Sequence, residues 1–78
     1  MARVLLFGAL ADAAGWRERH IEGDTIEALR RHLAGDERLA ERLARPGVMT
    51  VLNQVVVRGD HPVGTDDEVA FAPLVSGG

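Results

Sequence analysis

"EGDTIEALRRHLAG", residues 22–35, is the stretch whose reading decides the fold. Its apolar residues Ile26, Leu29 and Leu33 recur at the spacing of one helical face, with Ala28 and Arg30 flanking them, and Gly35 follows as a stop. Asp24 stands where an N-cap belongs and Glu27 at the third helical position, so the spacing predicts a capping box. One amphipathic helix cannot bury its stripe alone. The neighbouring segments decide what it covers.

Upstream, "RVLLF" (3–7) is a continuous apolar run ended by Gly8, which reads as a strand buried on both faces. "GALADAAG" (8–15) predicts a loop with one helical turn. "WRERHI" (16–21) alternates, with Trp16, Glu18 and His20 on one face and Arg17, Arg19 and Ile21 on the other. That pattern predicts a weakly amphipathic strand near a sheet edge, in a hairpin with the first. Downstream, "DERLAERLA" (36–44) predicts a shorter second helix with Leu39 and Leu43 inward and Glu41 paired to Arg45. "RPG" (45–47) stops it. "VMTVLN" (48–53) and "QVVV" (54–57) are β-rich, with a turn or bulge at Asn53-Gln54. "RGDHPVGTDD" (58–67) is a loop of turn formers, and "EVAFA" (68–72) is the last strand, closed by Pro73.

Strands on both sides of one main helix predict an α+β fold, a mixed sheet with the helix laid across one face. The first and last strands are the most apolar and are expected side by side at the centre. This is a β-grasp layout, with a domain over residues 1–72 and an extended Gly-Gly tail over 73–78.

The 78 residues make one domain, and a chain this short buries only about 60% of its unfolded surface, so its core must be economical. With only Phe7, Trp16 and Phe71 as aromatics, Val, Leu, Ile and Ala do the filling. The absence of cysteine excludes disulfides, a thiolate metal site and a cysteine nucleophile, and fits a reducing cytoplasm. A net charge of −3 argues against nucleic acid as a partner, which requires a basic face. No apolar run is long enough to cross a membrane, and the opening "MARVLLFGALADAAG" reaches charge too soon for a secretory signal. All nine basic residues are arginine. A GC-rich coding sequence accounts for that bias, and a surface without amines that spares a reactive acyl group is the sharper reading.

The body of the chain offers no catalytic set. His20, His32 and His61 fall in a strand, a helix and a loop without paired ligand spacing. Asp66, Asp67 and Glu68 suit a turn entering a strand, where aspartates bond their own backbone. "FGALADAAG" lacks the spacing and the lysine of a phosphate loop. Arg30, Arg31, Arg38 and Arg42 form a modest basic cluster of the kind solvated helix faces carry, open to acidic protein partners.

The end of the chain, "APLVSGG" (72–78), offers more. Glycines without Cβ enter a slot too narrow for other residues, and "PLVS" is extended and uncharged, suited to another protein's groove. A terminal carboxylate becomes an electrophile once adenylated. A frayed glycine-rich end would look the same in isolation.

Three segments carry a resemblance: "VLLFGALADAAG" (4–15), "VLNQ" (51–54) and, above all, "DDEVAFAPLVSGG" (66–78). Through them the chain resembles the MoaD family, small sulfur-carrier subunits of molybdopterin synthase and members of the ubiquitin-like sulfur carriers. The likeness covers nearly the whole chain. Two departures stand out: Asp66-Asp67-Glu68 where the family usually has Gly-Asp-Glu, and Pro73-Leu74 where it usually has two prolines.

The resemblance implies that a MoeB-like activating enzyme adenylates Gly78 with ATP and that a sulfur donor protein then leaves a thiocarboxylate there. It implies that Leu74, Val75, Ser76 and Gly77 enter the MoaE-like large subunit, which transfers the sulfur to cyclic pyranopterin monophosphate in molybdenum cofactor biosynthesis. The small subunit would bind no cofactor and would not be catalytic alone. Phe71, Leu74 and Val75 are expected to extend an apolar patch on the uncovered sheet face that docks the large subunit, although Phe71 fits the core equally well. Two other readings share the fold: a sulfur carrier for thiamine, cysteine or tRNA thiolation, and a protein modifier joined through Gly78 to lysines.

Overall fold

A computed structural model describes residues 1–73. In chain order its elements are β1 (Ala2–Leu6), α1 (Ala9–Ala14), β2 (Glu18–Ile21), α2 (Ile26–Leu33), α3 (Glu37–Leu43), β3 (Met49–Leu52), β4 (Val55–Val57) and β5 (Glu68–Ala72). The five strands form one mixed sheet in the order β2-β1-β5-β3-β4. As expected, the first and last strands lie side by side at the centre; they pair in parallel, Val4 beside Val69 and Leu6 beside Phe71. Every other pairing is antiparallel.

Side chains alternate across a strand, so each pairing register also assigns faces. Ala2, Val4, Leu6, Val69 and Phe71 share one face and join Ile26, Leu29 and Leu33 of α2 in a single core. Leu39 and Leu43 of α3 and Leu10 and Ala11 of α1 complete it, so all three helices lie on that side. Leu29, fully buried, is central to the cluster. Arg30 is half-buried rather than solvated: its guanidinium lies 5.3 Å from the Phe71 ring centroid and donates to Thr50 Oγ1 at 3.3 Å.

Three local expectations are corrected. First, α2 is capped by Thr25, not Asp24: the Thr25 hydroxyl accepts from the Ala28 amide at 3.0 Å. The cause is a distant loop. Asp60 accepts from the Glu27 amide at 2.9 Å, the His61 carbonyl accepts from the Ile26 amide, and the Asp24 carbonyl accepts from Val63. Second, residues 9–14 form a full short helix, because Leu10 and Ala11 find a hydrophobic floor in the core. Third, Trp16 precedes β2 instead of sharing its alternation, packing against the core with the Arg19 guanidinium 5.0 Å from its ring centroid.

The turn at Asn53-Gln54 has φ of 48° and 70°, the two positive values of a tight hairpin whose twist matches that of the strands. Asn53 also links this hairpin to the start of β5. Its side chain donates to Asp67 Oδ1 at 3.0 Å and accepts from the Glu68 amide at 2.9 Å. Asp67 Oδ2 accepts from the Gly64 amide at 2.7 Å, the self-bonded turn expected of this acidic run. The Gly64 amide, and then the Asn53 side chain, hold the Asp67 carboxyl below its ordinary pKa.

Candidate functional site: an open sheet face and the root of the tail

With the helices on one side, the other sheet face is left open. One row crosses four strands, running Leu5, Ala70, Val51 and Val56. Beside it Met49 pairs with Ala72, and Phe7 extends the alternation of β1. Phe7 is 49% and Val56 58% exposed, large apolar side chains left in water. A contiguous patch of this kind on a small domain marks an interaction surface. At the far end of the same face Arg3 bonds Glu18 at 3.0 Å and Glu68 at 3.6 Å, and His20 lies opposite Arg3. The open face is therefore apolar toward the end of β5 and ionic toward its start.

Phe71 does not belong to this patch. Its side chain is fully buried on the helix side, because the parallel pairing with Leu6 turns it inward. Its neighbours Ala70 and Ala72 face the open side instead. Leu74, Val75, Ser76, Gly77 and Gly78, the other expected site residues, lie outside the described residues.

The chain leaves the sheet at Pro73, beside Gly8. Gly8 adopts φ 56° and ψ −132°, a conformation open in practice only to glycine, and a Cβ there would stand 3.1 Å from Pro73 Cγ. The Phe7 amide donates to the Phe71 carbonyl at 3.1 Å, so β1 and β5 stay paired up to the last residues before the tail. Next to Pro73 runs a groove of about 150 Å³, lined also by Leu10, Arg42, Arg45 and Pro46. Arg45 pairs with Glu41 at 3.0 Å, as its spacing predicted. A larger cleft of about 610 Å³ opens between α2 and the β3–β4 hairpin, and Pro73 is not among its walls.

Sequence reasoning missed the Gly8–Pro73 contact and the two-arginine groove, since both juxtapose residues far apart in the chain. Gly8, set between a strand and an apolar helix, was the one local signal available. What the arrangement can do chemically is limited: no nucleophile or acid–base pair converges at the tail root among the described residues. It presents a chain end beside a sticky face.

Comparison with known proteins gives this arrangement a relationship. The ThiS family model matches residues 4–78. The chain belongs to the ThiS family. It is 38% identical over 81 residues to the molybdopterin synthase sulfur carrier subunit of Escherichia coli (strain K12), covering all of both chains. It is 35% identical over 82 residues to the protein of that name from Haemophilus influenzae, again end to end. Among solved structures it matches the crystal structure of SAMP1 from Haloferax volcanii with a TM-score of 0.77 and 26% identity, over 99% of this chain and 98% of that one. The solution structure of the small archaeal modifier protein 1 from Methanosarcina acetivorans, at TM-score 0.81 and 22% identity over 99% and 95% of the two chains, shares the fold. This member of the family is thus a sulfur carrier by its relationship and a β-grasp by its shape.

Proposed function

We propose that this chain is the sulfur-carrying small subunit of a molybdopterin synthase, and that residues 73–78 act as an arm whose terminal Gly78 carries the sulfur. The observation that carries the reading is the end-to-end 38% identity to a protein of that name, with no segment of either chain left over. The chemistry follows from the functional group. A carboxylate is a poor acyl donor; reaction with ATP on an activating enzyme makes an acyl-adenylate and releases pyrophosphate. Sulfur delivered at the sulfide level by a donor protein then attacks the acyl carbon, AMP leaves with the electron pair of the broken carbon–oxygen bond, and a thiocarboxylate remains, an anionic sulfur nucleophile at neutral pH. ATP is consumed on the activating enzyme and nothing is resident on the carrier.

The open face of Leu5, Phe7, Met49, Val51 and Val56 is suited to hold the large catalytic subunit while Leu74, Val75, Ser76 and Gly77 thread toward its active site. General acid–base groups and pterin contacts come from that subunit. Such a pathway belongs in the cytoplasm, and no helix among the described residues is long and apolar enough to cross a membrane.

The test is intact mass after incubation with a cognate activating enzyme, ATP and a sulfur donor. The chain should gain the difference between sulfur and oxygen, and a chain lacking Gly78 should not while melting at the same temperature. A second reading, a protein modifier, draws support from the likeness to SAMP1 of Haloferax volcanii. Chains found joined through Gly78 to lysines, without the sulfur mass, would replace the first reading with this one.

A further inference from the structure

Arg30 is a charge that the carrier reading leaves without a task. Its guanidinium is half-buried, held over the Phe71 ring and bonded to Thr50 Oγ1 through one nitrogen. A guanidinium carries five N–H donors in a rigid fork, so most of them remain to be used. Among the described residues no carboxylate lies within 4.0 Å of it, whereas Arg3 and Arg45 are each paired. Arg30 lines the cleft of about 610 Å³ between α2 and the β3–β4 hairpin, and Arg58 adds a second positive charge to its wall. Asp60 also lines it but is turned to the backbone, accepting from the Glu27 and His61 amides at 2.9 and 3.1 Å.

A sheet edge borders this cleft. β4 ends the strand order, so alternate residues of Val55–Val57 turn N–H and C=O groups outward, without a partner among the described residues. Val55, 62% exposed, adds apolar surface there. An extended peptide that adds a strand to such an edge is placed by the register already present. Residues opposite one another in a ladder point to the same face. Phe71, Thr50 and Val57 are neighbours across three strands, and Phe71 and Thr50 are buried on the helix side. An incoming residue opposite Val57 therefore points into the cleft. It starts two strand spacings, about 10 Å, from Thr50, a span that glutamate covers better than aspartate. The next residue, opposite Val56, turns to the other side and continues the apolar row of Leu5, Ala70, Val51 and Val56.

A second copy of this chain fits poorly. Two β4 strands paired antiparallel about Val56 set Val55 opposite Val57, and each Arg30 is left without a carboxylate. We propose that the β4 edge and the Arg30 cleft together dock an extended segment of a partner protein. Its glutamate opposite Val57 accepts from the Arg30 guanidinium, and its apolar residue opposite Val56 joins the open face. Glu27, exposed on the same cleft, opposes a second anion, so the site takes one acid rather than an acidic run. This goes beyond the carrier reading and does not depend on the chemistry of Gly78.

The test begins with selection of short randomised peptides, displayed on phage, against the immobilised full chain. Enriched peptides should carry a glutamate beside an apolar residue. A synthetic copy of the most enriched one is then titrated into isotope-labelled full chain and followed by NMR. Shifts should centre on the amides of Val55–Val57 and of α2. Arg30→Gln should weaken binding about tenfold or more, and exchanging the peptide's glutamate for glutamine should weaken it equally in the wild type. The two changes together should cost no more than either alone. Because Arg30 is half-buried, Arg58→Gln at an exposed position supplies a variant free of packing effects, and it should weaken binding about twofold to fivefold. No enrichment over the bare support would overturn the proposal, as would enriched peptides without an acid. Shifts confined to Leu5 and Ala70, or a peptide glutamate exchanged without loss, would overturn it equally. A chain that dimerises through β4 would assign the edge to a second copy instead. Failure to acquire sulfur from an activating enzyme is a separate outcome that counts against the carrier reading alone.

Discussion

Replacing Gly8 by alanine should damage this protein in two separable ways, and the structure gives the size of each. The first is backbone strain. At φ 56° and ψ −132° an L-residue sits in a region reserved for glycine, at a cost of about 1–3 kcal/mol. The second is a collision: the new Cβ would lie 3.1 Å from Pro73 Cγ, adding about 1 kcal/mol as ring and strand give way. Gly15 provides the internal comparison, with φ 81° and ψ 13°, left-handed helical, and open space where its Cβ would go. Alanine there should cost only about 1 kcal/mol. By thermal unfolding followed by circular dichroism, Gly15→Ala should lower Tm by roughly 4–8 °C and Gly8→Ala, at about 2–4 kcal/mol, by roughly 8–32 °C. A double-mutant cycle isolates the collision: Pro73→Ala in the Gly8→Ala background should recover about 1 kcal/mol beyond additivity. Gly8→Ala no costlier than Gly15→Ala, or a coupling to Pro73 of zero, would refute the claim that Gly8 exists to seat the root of the tail.

Leu29→Ala, at a fully buried site against which a Cβ on Gly23 would stand 2.9 Å from Leu29 Cδ2, should cost about 2–5 kcal/mol by urea unfolding. Val56→Asp, on the exposed apolar row, should change stability by less than about 1 kcal/mol while weakening capture of the large subunit; a variant that unfolds but binds normally would make Val56 structural. Asp67 is held below its ordinary 3.8, so the folded state takes up this proton less readily than the unfolded. Its contribution is complete above about pH 4 and is lost as pH falls through the lowered folded value, and Asp67→Asn should flatten stability against pH in that acid window alone.

The main elements were legible because each rests on a local pattern. The helical spacing of Ile26, Leu29 and Leu33, the apolar runs at 3–7 and 68–72 and the turn at Asn53-Gln54 all fell where the residues alone put them. The sequence missed whatever depends on distant partners. Asp24 and Thr25 are equally good caps by composition, and only the arrival of Asp60 and His61 at the helix start selects Thr25. Phe71 could be assigned to either face until pairing with Leu6 settled its direction. The open apolar face was expected in kind. Its membership, Phe7 and Met49 rather than Phe71, required the strand order.

The central place of β5 has a consequence for synthesis. Among the described elements this strand is the last to be translated, yet it pairs with both β1 and β3 and supplies Val69 and Phe71 to the core. A nascent chain ending before residue 68 has two unconnected pieces of sheet and helices with half a floor. The pairings of β5 with β1 and β3 must wait for the ribosome to release the closing residues, and the first of them joins opposite ends of the message. A polypeptide terminated before residue 68 therefore lacks the strand that joins the two halves of its sheet, and proteases can clear it.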